Sequence, residues 1–276
     1  MKQPQLHFYD MGSAVTAFSS KRKGGYSRGA FGEFNINPYC GDDETAIRQN
    51  RAALCQSLAI DDARLLMPHQ VHETIVATVD EAFLSLTEEE QRQRLEGVDA
   101  LMTNVPEVCI GVSTADCIPI LLYDKEHSAV CAVHAGWRGT VMRIVEKAVR
   151  QMEVCYGTRP SALVAQIGPG IHRESFEVGD EVYDAFHQAG FPMEAISERR
   201  EKWHIDLPVC NKLQLLGVGV EAPHIRVDDN CTYQQCDDFF SARRLGIQSG
   251  RIYTGIVLRK IGSTNKTKQH EHQAAL

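Results

Sequence analysis

Three short segments place metal-capable or nucleophilic side chains where apolar runs begin or end. They are Pro68-His69-Gln70-Val71-His72, Thr114-Ala115-Asp116-Cys117 and Val133-His134-Ala135-Gly136-Trp137-Arg138-Gly139. His72, Cys117 and His134 together make a His₂Cys set, which zinc accepts while keeping a fourth position for water or substrate. Such an open site is catalytic in type, because bound zinc lowers the pKa of its water from about 15.7 to about 7. The three residues lie 45 and 17 positions apart, so only the fold can bring them together. Spacing alone leaves open a buried thiol with two ordinary histidines. His69 rivals His72, since residues two apart in an extended segment face the same side. We take His72 as the ligand and His69 as its neighbour or a core histidine.

Asp116, beside the thiol, can move protons near a Lewis acid or form a turn on its own backbone. Gly136-Trp137-Arg138-Gly139-Thr140 opens a helix. There, free N–H groups and Arg138 favour an anion such as phosphate, and Gly136 permits close backbone approach. Arg51 can reach the same anion or face solvent. Asn35 and Arg28 of an early loop can touch a sugar or base, and Arg243 can close the pocket from the other end.

The elements that must carry these residues follow from patterning. Val108–Val112, Ile118–Tyr123 and Ala129–His134 are short, nearly uninterrupted apolar runs, which predicts strands buried on both faces. Ala14–Phe18, Thr74–Val79, Leu163–Ile167, Ile225–Val227 and Ile252–Leu258 read as further strands. A helix is expected from about Thr45 to Leu58, capped by Asp42 or Asp43. Another runs from Val141 through Met152, a third covers Val178–Gln188, and Asp206 caps a fourth with Pro208 in its first turn. Residues 81–97 read as a solvated insertion with a short helix, and Lys21–Gly32 as a mobile glycine-rich loop. The pattern predicts an α/β (α+β) chain with one domain over 1–260 and a disordered polar tail over 261–276.

Composition narrows the function classes. In 276 residues, 29 Lys and Arg oppose 36 Asp and Glu, a formal charge of −7, and no basic stripe invites a nucleic-acid backbone. No apolar run reaches the roughly 18 residues of a membrane helix. The first residues show no basic n-region followed by an apolar stretch, so no signal peptide is expected. Nine cysteines without a CxxC suit a reducing cytoplasm, with most thiols acting as small buried apolar residues.

On these motifs the chain resembles the YfiH-type laccase-domain family, also described as polyphenol oxidase or YfiH-like purine nucleoside phosphorylase. The resemblance is carried by Gly24-Gly25-Tyr26-Ser27, Phe34-Asn35-Ile36-Asn37, Asn50-Arg51, Gln70-Val71-His72, Thr114–Pro119 and Val133–Gly139. It continues through Ile167-Gly168-Pro169-Gly170-Ile171, Phe176-Glu177-Val178-Gly179, Cys231-Thr232 and Phe240–Arg244, over roughly residues 12–260. Glu73, Tyr26 and the Glu174-Ser175 pair depart from the family pattern in loops, not in the ligand set. The resemblance implies packed mixed β-sheets flanked by helices and a zinc site of His72, Cys117 and His134. It also implies phosphorolysis of adenosine, inosine, guanosine and methylthioadenosine, deamination of adenosine, and, from the family's older names, copper chemistry.

Two rival chemistries follow. Cys117 with His134 as base can act as a hydrolase or amidase, which fold analogy extends to peptidoglycan precursors. Copper-dependent phenol oxidation needs several His-rich motifs, and the sequence has an HxH only at His270 and His272. A purely binding role would leave an open-ligand site unused.

Overall fold

The computed structural model describes residues 2–260, and the tail expected to be disordered over 261–276 lies outside the described residues. Two mixed sheets pack face to face. One has six strands in the order Ile225–Val227, Leu163–Ile167, Ile118–Asp124, Ala129–Ala135, Ala100–Thr103 and Val76–Thr78. The other has five, ordered Leu6–Tyr9, Val15–Ser20, Ile252–Leu258, Cys109–Thr114 and Leu65–Leu66. A small third sheet of Glu177–Val178, Trp203–Ile205 and Ser197–Arg199 shares the core of the six-stranded one through Val178 and Ile205.

Alternation along the central strands explains their unbroken apolar character. Leu121 and Tyr123 point between the sheets, where they meet Ile110, Val112 and Ile256 of the opposite sheet. Ile118, Ile120 and Leu122 point the other way, onto Val145, Ala148, Val149 and Met152 of the Ile144–Tyr156 helix. On the outer face of the five-stranded sheet, Phe18, Cys109 and Tyr253 pack against Leu54 and Leu58 of the Glu44–Leu58 helix. The layers therefore run helix, sheet, sheet, helix, and the middle strands lose water on both sides.

Most expected elements appear. Asp43 caps the first helix by accepting a hydrogen bond from the Ala46 amide at 2.8 Å. The Asp206 cap accepts from the Val209 amide at 3.0 Å, with Pro208 in the first turn.

Three features differ from the sequence reading. The helix expected from Val141 onward breaks into Trp137–Val141 and Ile144–Tyr156, because Arg143 takes a left-handed backbone with φ 63°. Its guanidinium lies 3.9 Å over the Phe191 ring and donates to the Ala189 carbonyl, which holds the break. The insertion at 81–97 forms two short helices, Glu81–Leu84 and Glu88–Arg94, anchored by buried Phe83 and Leu95. Residues 21–32 are tied down by Lys21 on Asp238 at 2.8 Å and by Arg22 on the Gly32 carbonyl at 3.1 Å. Arg22 also stacks over the Phe240 ring.

All nine cysteines are free, and Cys55, Cys109, Cys131, Cys210 and Cys231 are buried. Among the described residues no helix is long and apolar enough to cross a membrane.

Candidate metal centre

Strand register builds the site. Ile118 pairs with Ala135 and Pro119 with His134, so continuing that antiparallel ladder by one step sets Cys117 opposite Gly136. Ala100 pairs with Val133, and one step further Asp99 lies opposite His134. Two neighbouring strand ends and the loop before a third thus converge on one corner of the six-stranded sheet.

The ligand atoms of His72, Cys117 and His134 all lie within 4.8 Å of one another, with His72 exposed, Cys117 half-buried and His134 buried. The two imidazoles meet edge to face, with ring centroids 4.8 Å apart and planes at 77°. Both turns that deliver these groups use left-handed backbone at non-glycine residues, φ 66° at His72 and φ 87° at Asp116. Such conformations persist only where the surroundings fix them.

At Asp116 those surroundings are a set of hydrogen bonds. Its carboxylate accepts from the Thr232 hydroxyl at 2.7 Å and from the Arg243 amide at 2.7 Å. Its carbonyl accepts from the Ile171 amide at 2.8 Å, beside the Gly168-Pro169-Gly170 turn. Asp116 therefore clamps the turn that carries Cys117 with both carboxylate oxygens engaged.

At His72 the fixing group is Asp99, a residue the sequence reading missed. Its side chain is fully buried. Oδ1 accepts from His134 Nδ1 at 2.7 Å and from the His72 amide at 3.0 Å, and Oδ2 accepts from the Glu73 amide at 2.8 Å. The only available signal was a charged residue leading the buried run Ala100-Leu101-Met102. Gln70 reinforces the loop, taking the Ser113 amide at 2.8 Å and donating to its carbonyl at 2.9 Å.

Electrostatics in this corner favour a thiolate. Burial pushes the Cys117 thiol up, but the facing His134 and His72 outweigh it and bring its pKa down to about 6. Burial pushes His134 down, yet the Cys117 sulfur and Asp99 raise it to about 9. Burial likewise opposes the charge of Asp99, and the hydrogen bonds from His134 and the Glu73 and Val71 amides hold it below the usual carboxylate range. A thiolate and two imidazoles, one fixed through Nδ1 so that Nε2 is free, are the donor set a soft-to-borderline cation takes.

Gly136 supplies the space. A Cβ there would lie 2.9 Å from His72 Cδ2 and 3.1 Å from Cys117 Sγ, so any side chain would fill the cradle between them. The residues present fit a metal ion.

The remaining sequence candidates divide. Arg138 is exposed, its guanidinium 4.3 Å over the neighbouring Trp137 ring. Arg243 donates to the Glu177 carbonyl at 3.0 Å and lies over the Phe176 ring, while its amide holds Asp116. Asn35 is buried, donating to Asp42 at 2.9 Å and accepting from the Arg251 amide at 3.1 Å, which orders its own loop. Arg51 bonds Asp62 and the Leu65 carbonyl in a groove between the Glu44–Leu58 and Glu88–Arg94 helices. None of the hydrogen bonds of Asn35 or Arg51 goes to the metal-capable cluster. His69 donates through Nδ1 to the Glu96 carboxylate at 2.7 Å and stacks on Tyr39 at 4.1 Å.

An open His₂Cys cluster at the strand ends of a layered α/β fold defines the class. The chain belongs to the family described as multi-copper polyphenol oxidoreductase laccase, which it matches over residues 16–259. Within that family it is 45% identical over 251 residues to a purine nucleoside phosphorylase of Bacteroides thetaiotaomicron, covering 90% of this chain and 93% of the relative. It is 43% identical to the adenosine deaminase RL5 of an unknown prokaryotic organism, covering 91% and 97% of the two chains. The crystal structure of YlmD from Geobacillus stearothermophilus superposes with a TM-score of 0.86 at 28% identity, over 94% of this chain and all of that one.

Proposed function

We propose that the protein is a zinc-dependent purine nucleoside phosphorylase, acting on adenosine, inosine, guanosine and methylthioadenosine, with adenosine deamination as a second activity. The observation that carries this reading is the meeting of His72, Cys117 and His134 around the cradle left by Gly136. Relatives named purine nucleoside phosphorylase and adenosine deaminase support the class of reaction. The free thiols suit a cytoplasmic enzyme.

His72, Cys117 and His134 would hold the ion, with copper as the alternative metal from the family description. Bound zinc would supply Lewis acidity at the coordination position the three residues leave open.

The chain's own residues do the rest. Gly136 and the exposed guanidinium of Arg138 receive phosphate, with Arg243 at the rim. A phosphate oxygen bonds the anomeric carbon as the bond to the purine nitrogen breaks, and the purine leaves with the proton given up by dihydrogen phosphate. Arg51 joins the anion only by leaving Asp62, and Asn35 reaches a sugar only by leaving Asp42. Asp116 accepts from the Thr232 hydroxyl on one carboxylate oxygen and from the Arg243 amide on the other, so it serves first to hold Cys117 in place.

Purified protein with adenosine and phosphate is expected to release adenine and ribose 1-phosphate, and adenosine alone to release ammonia. Elemental analysis of protein purified without added metal should find one zinc per chain. Cys117→Ala should lose both the metal and the turnover. Unchanged turnover in that variant overturns the reading.

A second reading has its own observation. Asp99, His134 and Cys117 form a carboxylate–imidazole–thiol relay, and the lowered thiol pKa is that of an activated nucleophile. In that reading the chain is an amidase acting on peptidoglycan precursors. Tightly held stoichiometric metal argues against it, because the ion would occupy the sulfur. Copper phenol oxidation has less support. Among the described residues, the second metal-capable cluster, Asp124, Glu126 and His127, contains one histidine and is paired with Arg159 through Glu126.

A further inference from the structure

We propose that Asp99 is the positioning residue of the metal centre, one buried carboxylate that sets both the ring orientation of His134 and the backbone that presents His72. The proposal rests on the reading of the site as a metal centre. It adds a residue outside the ligand set and assigns it control over two of the three ligands.

The geometry is specific to this role. The side chain of Asp99 is 0% exposed, and among the described residues its one ion-pair partner is His134. No Lys or Arg is paired with it among the described residues. A carboxylate taken from water with no Lys or Arg beside it is strongly unfavourable unless hydrogen bonds and its histidine partner compensate. Here the compensation comes wholly from the two segments that carry ligands. Oδ1 bridges His134 Nδ1 at 2.7 Å and the His72 amide at 3.0 Å. Oδ2 takes the Glu73 amide at 2.8 Å and the Val71 amide at 3.4 Å. Main-chain bonds lock the same pieces together: the His134 amide donates to the Asp99 carbonyl at 2.8 Å, and the Asp99 amide donates to the Ile75 carbonyl at 2.9 Å.

Two consequences follow for the ligands. With Nδ1–H directed at Oδ1, the lone pair of His134 stays on Nε2, the nitrogen a metal would use. Successive amides of residues 71, 72 and 73 converge on one carboxylate, which holds His72 in its left-handed conformation at φ 66°. An asparagine at 99 can satisfy only one side. With its NH₂ toward His134 it reverses the tautomer, and with its NH₂ toward Glu73 it opposes the loop amides.

The test uses the full chain, stripped of metal and titrated with zinc against a chromophoric chelator, and with cobalt followed by its visible absorption. Asp99→Asn is expected to weaken zinc about 10–100-fold, in the range found for outer ligands of metal sites, and to alter the cobalt spectrum. Asp99→Glu, which keeps the charge but displaces it by one methylene, should fall between that variant and the native protein. It also serves if Asp99→Asn does not fold. Asp124→Ala is the control, since Asp124 is a buried carboxylate at the far end of the Ile118–Asp124 strand that also pairs with a histidine. Because Asp124 belongs to the second metal-capable cluster, its readout is the tight site alone: the variant should lower the melting temperature while leaving the first equivalent of zinc and the thiolate-to-cobalt absorption native. Native affinity and spectrum in both Asp99 variants overturn the proposal, as does an equal loss in Asp124→Ala, which would reveal general destabilisation. If native protein takes up no metal, or Cys117→Ala binds it undiminished, the metal-centre reading falls and this proposal with it. Metal bound by native protein and lost in Cys117→Ala, but undisturbed by substitution at 99, removes the proposal alone.

Discussion

Gly136 and Cys117 face each other across the open end of two antiparallel strands, so closely that a Cβ on the glycine would stand 3.1 Å from the sulfur. His72 presses from the other side, at 2.9 Å from the same point. The glycine is therefore required by the site rather than by its backbone, whose φ of −69° any residue can adopt. Gly136→Ala should fold, yet lose metal. Crowding of this kind is worth about 1–3 kcal/mol, or roughly 5- to 150-fold in affinity. Zinc titration and the melting curve of the metal-free protein read the two effects separately.

Thiol reactivity should report the charge state of the corner. In metal-stripped protein Cys117 titrates at about 6, so its thiolate fraction rises as pH rises through that value and its alkylation by iodoacetamide accelerates with it. Below that pH the thiol is protonated and slow. Between about 6 and about 9 thiolate and His134 imidazolium coexist. Mass spectrometry distinguishes Cys117 from exposed Cys155. Adding one equivalent of zinc should protect Cys117 and leave Cys155 unchanged.

The turn before Cys117 has a stability role that can be measured. Asp116→Ala leaves the buried Thr232 hydroxyl and the Arg243 amide without their acceptor. Each unsatisfied group costs about 1–3 kcal/mol, so urea denaturation should show a loss of about 2–6 kcal/mol. A loss below about 1 kcal/mol would mean that the carboxylate does not hold the turn.

Acid sensitivity should depend on Asp124. Burial pushes this carboxyl up, but His127 and the Glu126 and His127 amides more than compensate and hold it below the usual carboxylate range. A carboxylate whose folded pKa is lowered stabilises fully above its unfolded pKa of about 4, and that stability is lost as pH falls through the folded value. Asp124→Asn should lower stability at neutral pH and flatten its decline below about pH 4. Melting temperatures measured down that range test the slope.

What could be read in advance was whatever short-range chemistry dictates. Uninterrupted apolar runs at Ile118–Tyr123 and Ala129–His134 marked strands that lose water on both faces. Caps at Asp43 and Asp206 marked helix starts, because a side-chain oxygen must satisfy amides that the helix leaves open. Residue types at His72, Cys117 and His134 marked a metal-capable set. Their meeting is a matter of strand register, which local sequence does not encode: Ile118 opposite Ala135 brings Cys117 to Gly136, and Ala100 opposite Val133 brings Asp99 to His134. Asp99 stayed hidden because a lone aspartate before an apolar run looks like any strand entry until its partners, 26–35 residues away, are known. Tertiary structure likewise took Asn35 and Arg51 into local hydrogen bonds, since a polar group in a folded chain pairs with whatever neighbour the packing supplies.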